Sequence, residues 1–347
     1  MKIIEMKKKL IANLIIFIFC ISCEQTQYQI ELTGFTMGTT YNIKMVTNNV
    51  ETSYKTNLNN QIDSILHSIN KQMSTYLYDS EISTFNNSEL ITPVNISKEF
   101  LYVVKRALHW AKKTDGAFDI TLVPLLYLWG FGPGQKGGLT DVFPDEESIN
   151  KRKIHMGYNK LMIKNNQLVK KDPYIKIDLN AIAKGFGVDA ISDFLQSKEI
   201  NNYMVEIGGE IRCSGLNRKN KAWMIAIENP EGDDLKNTIR WAVALNNMSM
   251  ATSGDYRNYF EIDNERYSHE IDPRSGYPAK TNIASATVIS PKCVDADALA
   301  TALIILGKDK AIQLIENTNN TEAFLIIRKE KDVYETVRTS GMKIEEM

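Results

Sequence analysis

The chain has 347 residues, 43% of them hydrophobic, with 41 Lys and Arg against 42 Asp and Glu and a formal net charge of −1. That length and composition suit a globular protein with a sizeable core, either one large domain or two lobes sharing a cleft. The near-neutral balance excludes a broad basic surface for nucleic acid, and a mean hydropathy of −0.26 excludes a polytopic membrane protein.

Residues 1–9 carry Lys2, Lys7, Lys8 and Lys9 against Glu5, and an apolar run follows from Leu10 to Ile21. A spanning helix needs about 20 apolar residues and a secretory signal about 7–15, so residues 1–22 read as an export signal. The end of the run, Cys20-Ile-Ser-Cys23-Glu24, is similar to a bacterial lipobox, with Cys20 where Leu is usual. Acylation of Cys23, with residues 23–30 as a tether, would hold the protein on the bacterial cell membrane facing the periplasm; a plain secretory signal is the alternative. Loss of the signal removes four Lys and one Glu and moves the net charge from −1 to −4. Cys213 and Cys293 are expected as buried free thiols, and no Cys or His spacing suggests zinc.

In chain order, Gln29–Lys44 alternates as a strand interrupted by Gly34 and Met37-Gly38. Ile62, Ile65, Leu66, Ile69 and Met73 recur at helical spacing. So do Phe100, Val104, Leu108 and Ala111, behind the candidate cap Ser97 and closed by Asp115-Gly116. Residues 130–141 hold five glycines and a proline and read as a loop. Strands are expected over Tyr174–Ile177, Tyr203–Ile207, Trp223–Glu228 and Ala284–Ile289, and helices over Ala181–Gln196, Ala296–Leu306 and Lys308–Glu316. Strands and helices mixed without a strict βαβ rhythm predict an α+β architecture.

The stretch Asp295–Leu306 reads as a helix that is hydrophobic nearly all round, and such a helix is buried. Asp297 and Thr301 are i,i+4 neighbours on one face of it, so a carboxylate and a hydroxyl enter the interior together. That pair suits Mg²⁺ or Ca²⁺, while Asp295 or Asp297 as helix cap and Thr301 as a back-bonding core residue stay equally open. Ile175–Gly187 runs from strand to helix through Asp178 and Lys184, where helix-start amides and a lysine one turn in could meet an anion. Gly185 and Gly187 cost helix stability unless something must approach closely. His269 precedes a tight turn at Asp272-Pro273 and Ser275-Gly276 and could serve as a base or a phosphate contact. Ala251–Arg257 is an anion-cradling loop or a simple turn, and aromatic and polar groups gather after helix ends at Met73–Asn86 and Gly116–Thr121. No GxSxG, P-loop or GxGxxG motif supports a serine hydrolase, a P-loop NTPase or a Rossmann oxidoreductase.

Taken in order, these segments closely resemble the FAD:protein FMN transferases, the ApbE-like flavin transferase family. The blocks are Met37-Gly-Thr-Thr-Tyr41, Met73-Ser-Thr-Tyr76 with Asp79–Ser83, Gly116-Ala-Phe-Asp119 with Leu128–Gly132, and Ile177-Asp-Leu with Ala183-Lys-Gly185. They continue through Glu206-Ile-Gly-Gly209, Ala251–Tyr256, Ser268-His269 with Ile271-Asp-Pro273, and Asp295–Thr301. The resemblance implies two lobes around mixed β-sheets, T-fold-like, over residues 31–339, with FAD in the cleft between them and a C-terminal tail at 340–347. It implies Mg²⁺ on Asp297, Thr301 and the Ala181 carbonyl, and an FAD site lined by Met37, Tyr76, Ala117, Phe118, Asp119, Asp178, Lys184 and Ile271. His269 and Lys184 would carry the catalysis. The implied reaction cleaves FAD, attaches FMN to a threonine of an acceptor protein and releases AMP. Acceptors would carry an Asp-x-x-Thr type motif, as redox-pump subunits do; this chain has no such motif and is not expected to be its own acceptor. An FAD pyrophosphatase and a lipid-anchored flavin carrier are the competing readings. Departures from the family pattern fall at Ser275, Ile120 and Asn180.

Overall fold

The computed structural model describes residues 27–135, 138, 143–230, 239–254, 259–262, 265–330 and 333–347. The expected signal 1–22, Cys23, and the Asp255, Tyr256 and Arg257 end of the Ala251–Arg257 stretch lie outside the described residues.

The chain opens with strands β1 (Tyr28–Thr36) and β2 (Thr39–Thr47), helices α1 (Thr52–Met73) and α2 (Glu81–Asn87), β3 (Val94–Asn95) and α3 (Lys98–Lys113). There follow α4 (Val123–Leu128), α5 (Glu146–Lys153), β4 (Leu161–Lys164), β5 (Gln167–Lys170) and α6 (Asn180–Ser197). Next come β6 (Tyr203–Ile207), β7 (Glu210–Ser214), β8 (Trp223–Glu228), β9 (Ile239–Leu245), β10 (Met248–Gly254), β11 (Tyr259–Ile262) and β12 (Glu265–Ser268). The last elements are β13 (Ile283–Ser290), α7 (Cys293–Leu306), α8 (Lys308–Glu316), β14 (Glu322–Glu330), β15 (Val333–Arg338) and β16 (Glu345–Glu346).

Eight strands form the main sheet in the order β1-β2-β6-β7-β10-β13-β14-β15, with every neighbouring pair antiparallel. Two of its hairpins close through two-residue turns whose central residues all have positive φ: Met37 and Gly38 between β1 and β2, and Gly208 and Gly209 between β6 and β7. That backbone twist matches the twist of the flanking strands, which is why such turns suit short hairpins. On one face of the sheet, α1 lays down the stripe Leu58, Ile62, Leu66, Ile69 and Met73, and α7 is buried at every position from Cys293 to Ile305. On the other face, the small sheet β16-β9-β8 adds a layer with Trp223, Trp241, Phe324 and Met342. Residues 340–347, expected as a tail, contribute Met342 and the strand β16 to that layer. A separate small core of Leu125, Trp129, Ile149, Met156 and Ile271 joins α4 and α5 to the turn after His269.

One expected strand does not form. Tyr174–Ile177 leaves a turn at Tyr174 and pairs with no strand; the Asn86 side chain instead bonds both the carbonyl and the N–H of Ile177 at 2.8 Å. A single amide side chain thus satisfies the backbone that a ladder would otherwise serve. Cys213 and Cys293 are buried free thiols. Among the described residues no helix is long and apolar enough to cross a membrane.

The contact that places the interior helix lies between α6 and α7. A Cβ built on Gly185 would stand 2.4 Å from the Cys293 carbonyl oxygen and 2.8 Å from Asp297 Cβ, so only glycine lets the two helices come this close. In return the Gly185 N–H donates to Asp297 Oδ2 at 2.8 Å. Gly185→Ala should gain about 1 kcal/mol of helix propensity and lose about 1–3 kcal/mol to overpacking against backbone atoms that have no rotamer to escape into. The net expectation is destabilisation in urea unfolding; a stabilised variant would mean that the close approach is not required.

A second expectation concerns Lys170, which is 1% exposed at the end of β5. Its ammonium donates to the Ser88 carbonyl at 2.5 Å and sits 4.6 Å from the Phe85 ring centroid. Burial pulls its pKa from 10.5 down to about 8. A base with a lowered folded value contributes stability that is present above the unfolded pKa and lost as the pH falls through the folded one. The unfolding free energy of the wild type, relative to Lys170→Met, should therefore rise as the pH goes from about 8 to 10.5. A difference that stays flat across that window would remove burial as the cause.

Candidate active site

The two acids at the start of α7 part company. Asp295 accepts from Trp110 Nε1 at 2.8 Å and from Arg106 Nε at 2.7 Å, with Arg106 Nη2 at 2.6 Å, so it is a structural tie between α3 and α7. Neither acid caps the helix: the N-cap is Lys292, with no side-chain hydrogen bond. Asp297, 3% exposed, faces a cavity instead, and one turn later Thr301 Oγ1 lies 3.2 Å from Ser253 Oγ on β10. Ser253 therefore belongs to a strand end, where the sequence suggested a loop or turn.

Lys184 lies one turn into α6, its Nζ 3.4 Å from Glu210 Oε1 on β7. Desolvation works against its charge, but the nearby Asp297, Glu210 and Glu270 outweigh that and hold the ammonium above its ordinary range. Burial raises the carboxyls in turn: Asp297 goes up, and Glu210 is pushed up to about 8, with Lys184 pulling against the shift in both and Asp297 adding to it at Glu210. One cation thus sits among three acidic side chains, which hold its charge against the cost of burial.

The cavity has a volume of about 630 Å³. Eleven of the twelve expected site residues that the structure describes line it: Tyr76, Ala117, Phe118, Asp119, Asp178, Ala181, Lys184, His269, Ile271, Asp297 and Thr301. Met37 is the exception. It sits in the β1–β2 turn with φ of 50°, and its methyl packs against the bare face of Gly187, 3.0 Å from where a Cβ would be. Cys23, the expected lipidation site, lies outside the described residues.

The lining is held by bonds that leave little freedom. Asp119 accepts from the Thr121 N–H at 2.8 Å, the Thr121 hydroxyl at 2.7 Å and the Tyr158 N–H at 2.8 Å; burial raises its pKa, and these bonds oppose the rise. Asp178 does not cap α6 directly, since the N-cap is Leu179. It accepts from the Asn180 N–H at 2.8 Å and from Thr75 Oγ1 at 3.4 Å, and burial raises it also. Phe118 is 3% exposed and forms wall, whereas Tyr76 is 66% exposed and stands at the rim.

His269 also lines the cavity, its Nε2 3.2 Å from Glu270 Oε1. The turn behind it closes as the sequence suggested: Asp272 N–H donates to Tyr277 O at 2.9 Å, Gly276 N–H donates to Asp272 O at 2.8 Å, and Arg274 clasps both Asp272 carboxylate oxygens at 2.8 Å. Trp129 Nε1 donates to Gly276 O at 2.8 Å, which fastens the turn to the small core around α4.

Sequence reasoning missed Glu210, Glu270 and the pairing role of Ser253. Glu210 directly follows the Glu206–Gly209 block, and the positive φ of Gly208 and Gly209 marks a hairpin that fixes which way β7 begins. A hairpin reading of that Gly-Gly pair would have drawn attention to the residue after it.

Comparison with known proteins gives a consistent answer. Residues 37–325 match the ApbE family. The FAD:protein FMN transferase of Vibrio cholerae serotype O1 is 44% identical over 321 residues, covering 92% of this chain and 94% of the relative. That of Haemophilus influenzae is 42% identical over 329 residues, with the same two coverages of 92% and 94%. Among solved structures, the flavin transferase ApbE from Vibrio cholerae superposes with a TM-score of 0.80 at 41% identity, covering 91% of this chain and 98% of that one. The flavinyl transferase ApbE of Pseudomonas stutzeri, in its apo form, superposes with 0.81 at 36% identity, covering 90% and 95%. The arrangement of a buried acid and hydroxyl, a lysine and a histidine around one cavity therefore belongs to a chain that is a member of the ApbE family.

Proposed function

We propose that this protein is an FAD:protein FMN transferase, which cleaves the diphosphate of FAD, attaches FMN through a phosphoester to a threonine of an acceptor protein and releases AMP. One observation carries the reading: Asp297, Thr301, Lys184 and His269, which come from distant parts of the chain, converge on a single 630 Å³ cavity in a member of this family.

The residues suit Mg²⁺. Asp297 and Thr301 present hard oxygens one helical turn apart, and the Ala181 carbonyl lines the same cavity. Mg²⁺ held by Asp297, Thr301 and the Ala181 carbonyl would neutralise charge on the phosphates.

The chain's own groups divide the remaining work. Lys184 keeps its charge throughout the neutral range and offers it to an anionic diphosphate. His269, placed by its turn and by Glu270, accepts the proton of the incoming threonine hydroxyl as the bond to phosphorus forms, and the AMP oxygen leaves. Phe118 in the wall and Tyr76 at the rim offer flat surfaces for a planar ring. The proposal extends to the chain's location and partner: export under the residue 1–22 signal, a lipid anchor on Cys23, and an acceptor carrying an Asp-x-x-Thr type motif, all supported by the sequence pattern.

Incubating the protein with FAD and Mg²⁺, with and without an acceptor domain, tests the reading through AMP release and in-gel flavin fluorescence. AMP that requires the acceptor is expected. AMP without acceptor would indicate a pyrophosphatase, and no AMP in either case a carrier. Asp297→Ala should abolish Mg²⁺-dependent turnover, and full activity in that variant would sink the metal assignment. His269→Ala should bind FAD with unchanged affinity yet lose transfer by about 10²–10⁴-fold; an unaltered rate would remove it from the mechanism.

A further inference from the structure

Six buried side-chain oxygens among the described residues have no hydrogen-bond partner, and only one of them, Glu210 Oε2, belongs to a residue that lines the cavity. Glu210 is 4% exposed. Its other oxygen faces Lys184 at 3.4 Å, so the carboxyl is half satisfied. An unsatisfied buried polar oxygen costs about 1–3 kcal/mol, and such an atom in a native protein calls for an explanation.

The backbone is built to put that oxygen there. The Gly208–Gly209 turn has φ of 60° and 100°, and the Gly209 N–H donates to Glu206 Oε1 at 2.8 Å. A Cβ on Gly208 would stand 2.7 Å from Thr39 Cγ2 and 3.3 Å from Lys184 Cδ, so the turn lies flat beneath the lysine stem. Glu210 opens β7 directly opposite Ile207, with Lys184 beside it. A ligand whose phosphates meet Lys184 thus brings its neighbouring groups to Glu210 Oε2.

The missing partner must suit a carboxyl in either protonation state, because burial and Asp297 favour the neutral form while Lys184 favours the charged one. A phosphate oxygen would be repelled by the ionised form, and an ammonium or metal ion would be ill matched to the neutral one. A hydroxyl serves both, since it can donate to a carboxylate and accept from a carboxylic acid. We propose that Glu210 Oε2 is a hydroxyl-binding subsite of this cavity, filled either by a sugar-alcohol hydroxyl next to the diphosphate of FAD or by the hydroxyl of the acceptor. The inference rests on FAD occupying the cavity.

The test compares Glu210→Gln with Glu210→Met, using FAD fluorescence titration without acceptor and single-turnover transfer at saturating FAD. Gln keeps a group that can pair with a hydroxyl, whereas Met fills similar space without one. Met should weaken FAD binding or slow transfer about tenfold, and Gln should restore most of that loss. A loss in FAD affinity assigns the hydroxyl to the FAD sugar; a loss in transfer alone assigns it to the acceptor. Equal impairment in both variants would show that Glu210 acts only through its charge on Lys184 and would overturn the subsite, as would two variants within about twofold of wild type. Calorimetric titration with Mg²⁺ alone should be unchanged in Gln; loss of Mg²⁺ binding there would make the oxygen a cation ligand and overturn the inference. Thermal melts accompany each variant, with Glu210→Ala standing in if the methionine variant does not fold. Failure of the wild type to bind FAD would instead overturn the reading of the cavity, and the subsite with it.

Discussion

The close approach of α6 and α7 at Gly185 is the constraint on which the rest of the site depends. With no side chain between them, the Cys293 carbonyl and Asp297 Cβ reach distances that any other residue at 185 would forbid, and the glycine N–H is free to bond Asp297 Oδ2. A buried carboxylate needs such a partner to be tolerated. The same contact sets Lys184, the residue before the glycine, beside the acids of α7 and β7. Helix packing and active-site electrostatics are therefore one arrangement, with Asp295 tied to Arg106 and Trp110 on the far side to keep α7 from rolling.

The charge pattern explains how a near-neutral chain can handle a strongly anionic substrate. The chain is near neutral overall, and the cavity sets one lysine among Asp297, Glu210 and Glu270. The surrounding acids hold the charge on that lysine against the cost of burying it. Burial strengthens each of these interactions, because the effective dielectric falls as water is excluded.

His269 reaches the site by a different route. It is carried on a turn fastened to the small core of α4 and α5 through Trp129 and Gly276, outside the helix layer that holds Asp297. Asp297 and Thr301 on the one hand and His269 on the other thus reach one cavity from separately packed regions, and each is positioned by its own local packing.

The sequence by itself determined a good deal. The 3.6-residue stripe on α1, the all-apolar α7 with one acid and one hydroxyl a turn apart, the Ser97 cap, and the turn after His269 all follow from local periodicity and backbone preference, and all appear. Local rules failed where a distant partner decided the outcome. Tyr174–Ile177 has strand-like composition, yet Asn86 satisfies the backbone of Ile177. The glycines at 185 and 187 signalled a close approach without naming what approaches. Only the tertiary structure showed that neither acid caps α7 and that Asp295 is tied to Arg106, and only it revealed Glu210 with one oxygen unpartnered. The physical reason is the same in each case: burial, charge partners and unsatisfied hydrogen bonds are properties of groups brought together from far apart in the chain, and no local pattern encodes them.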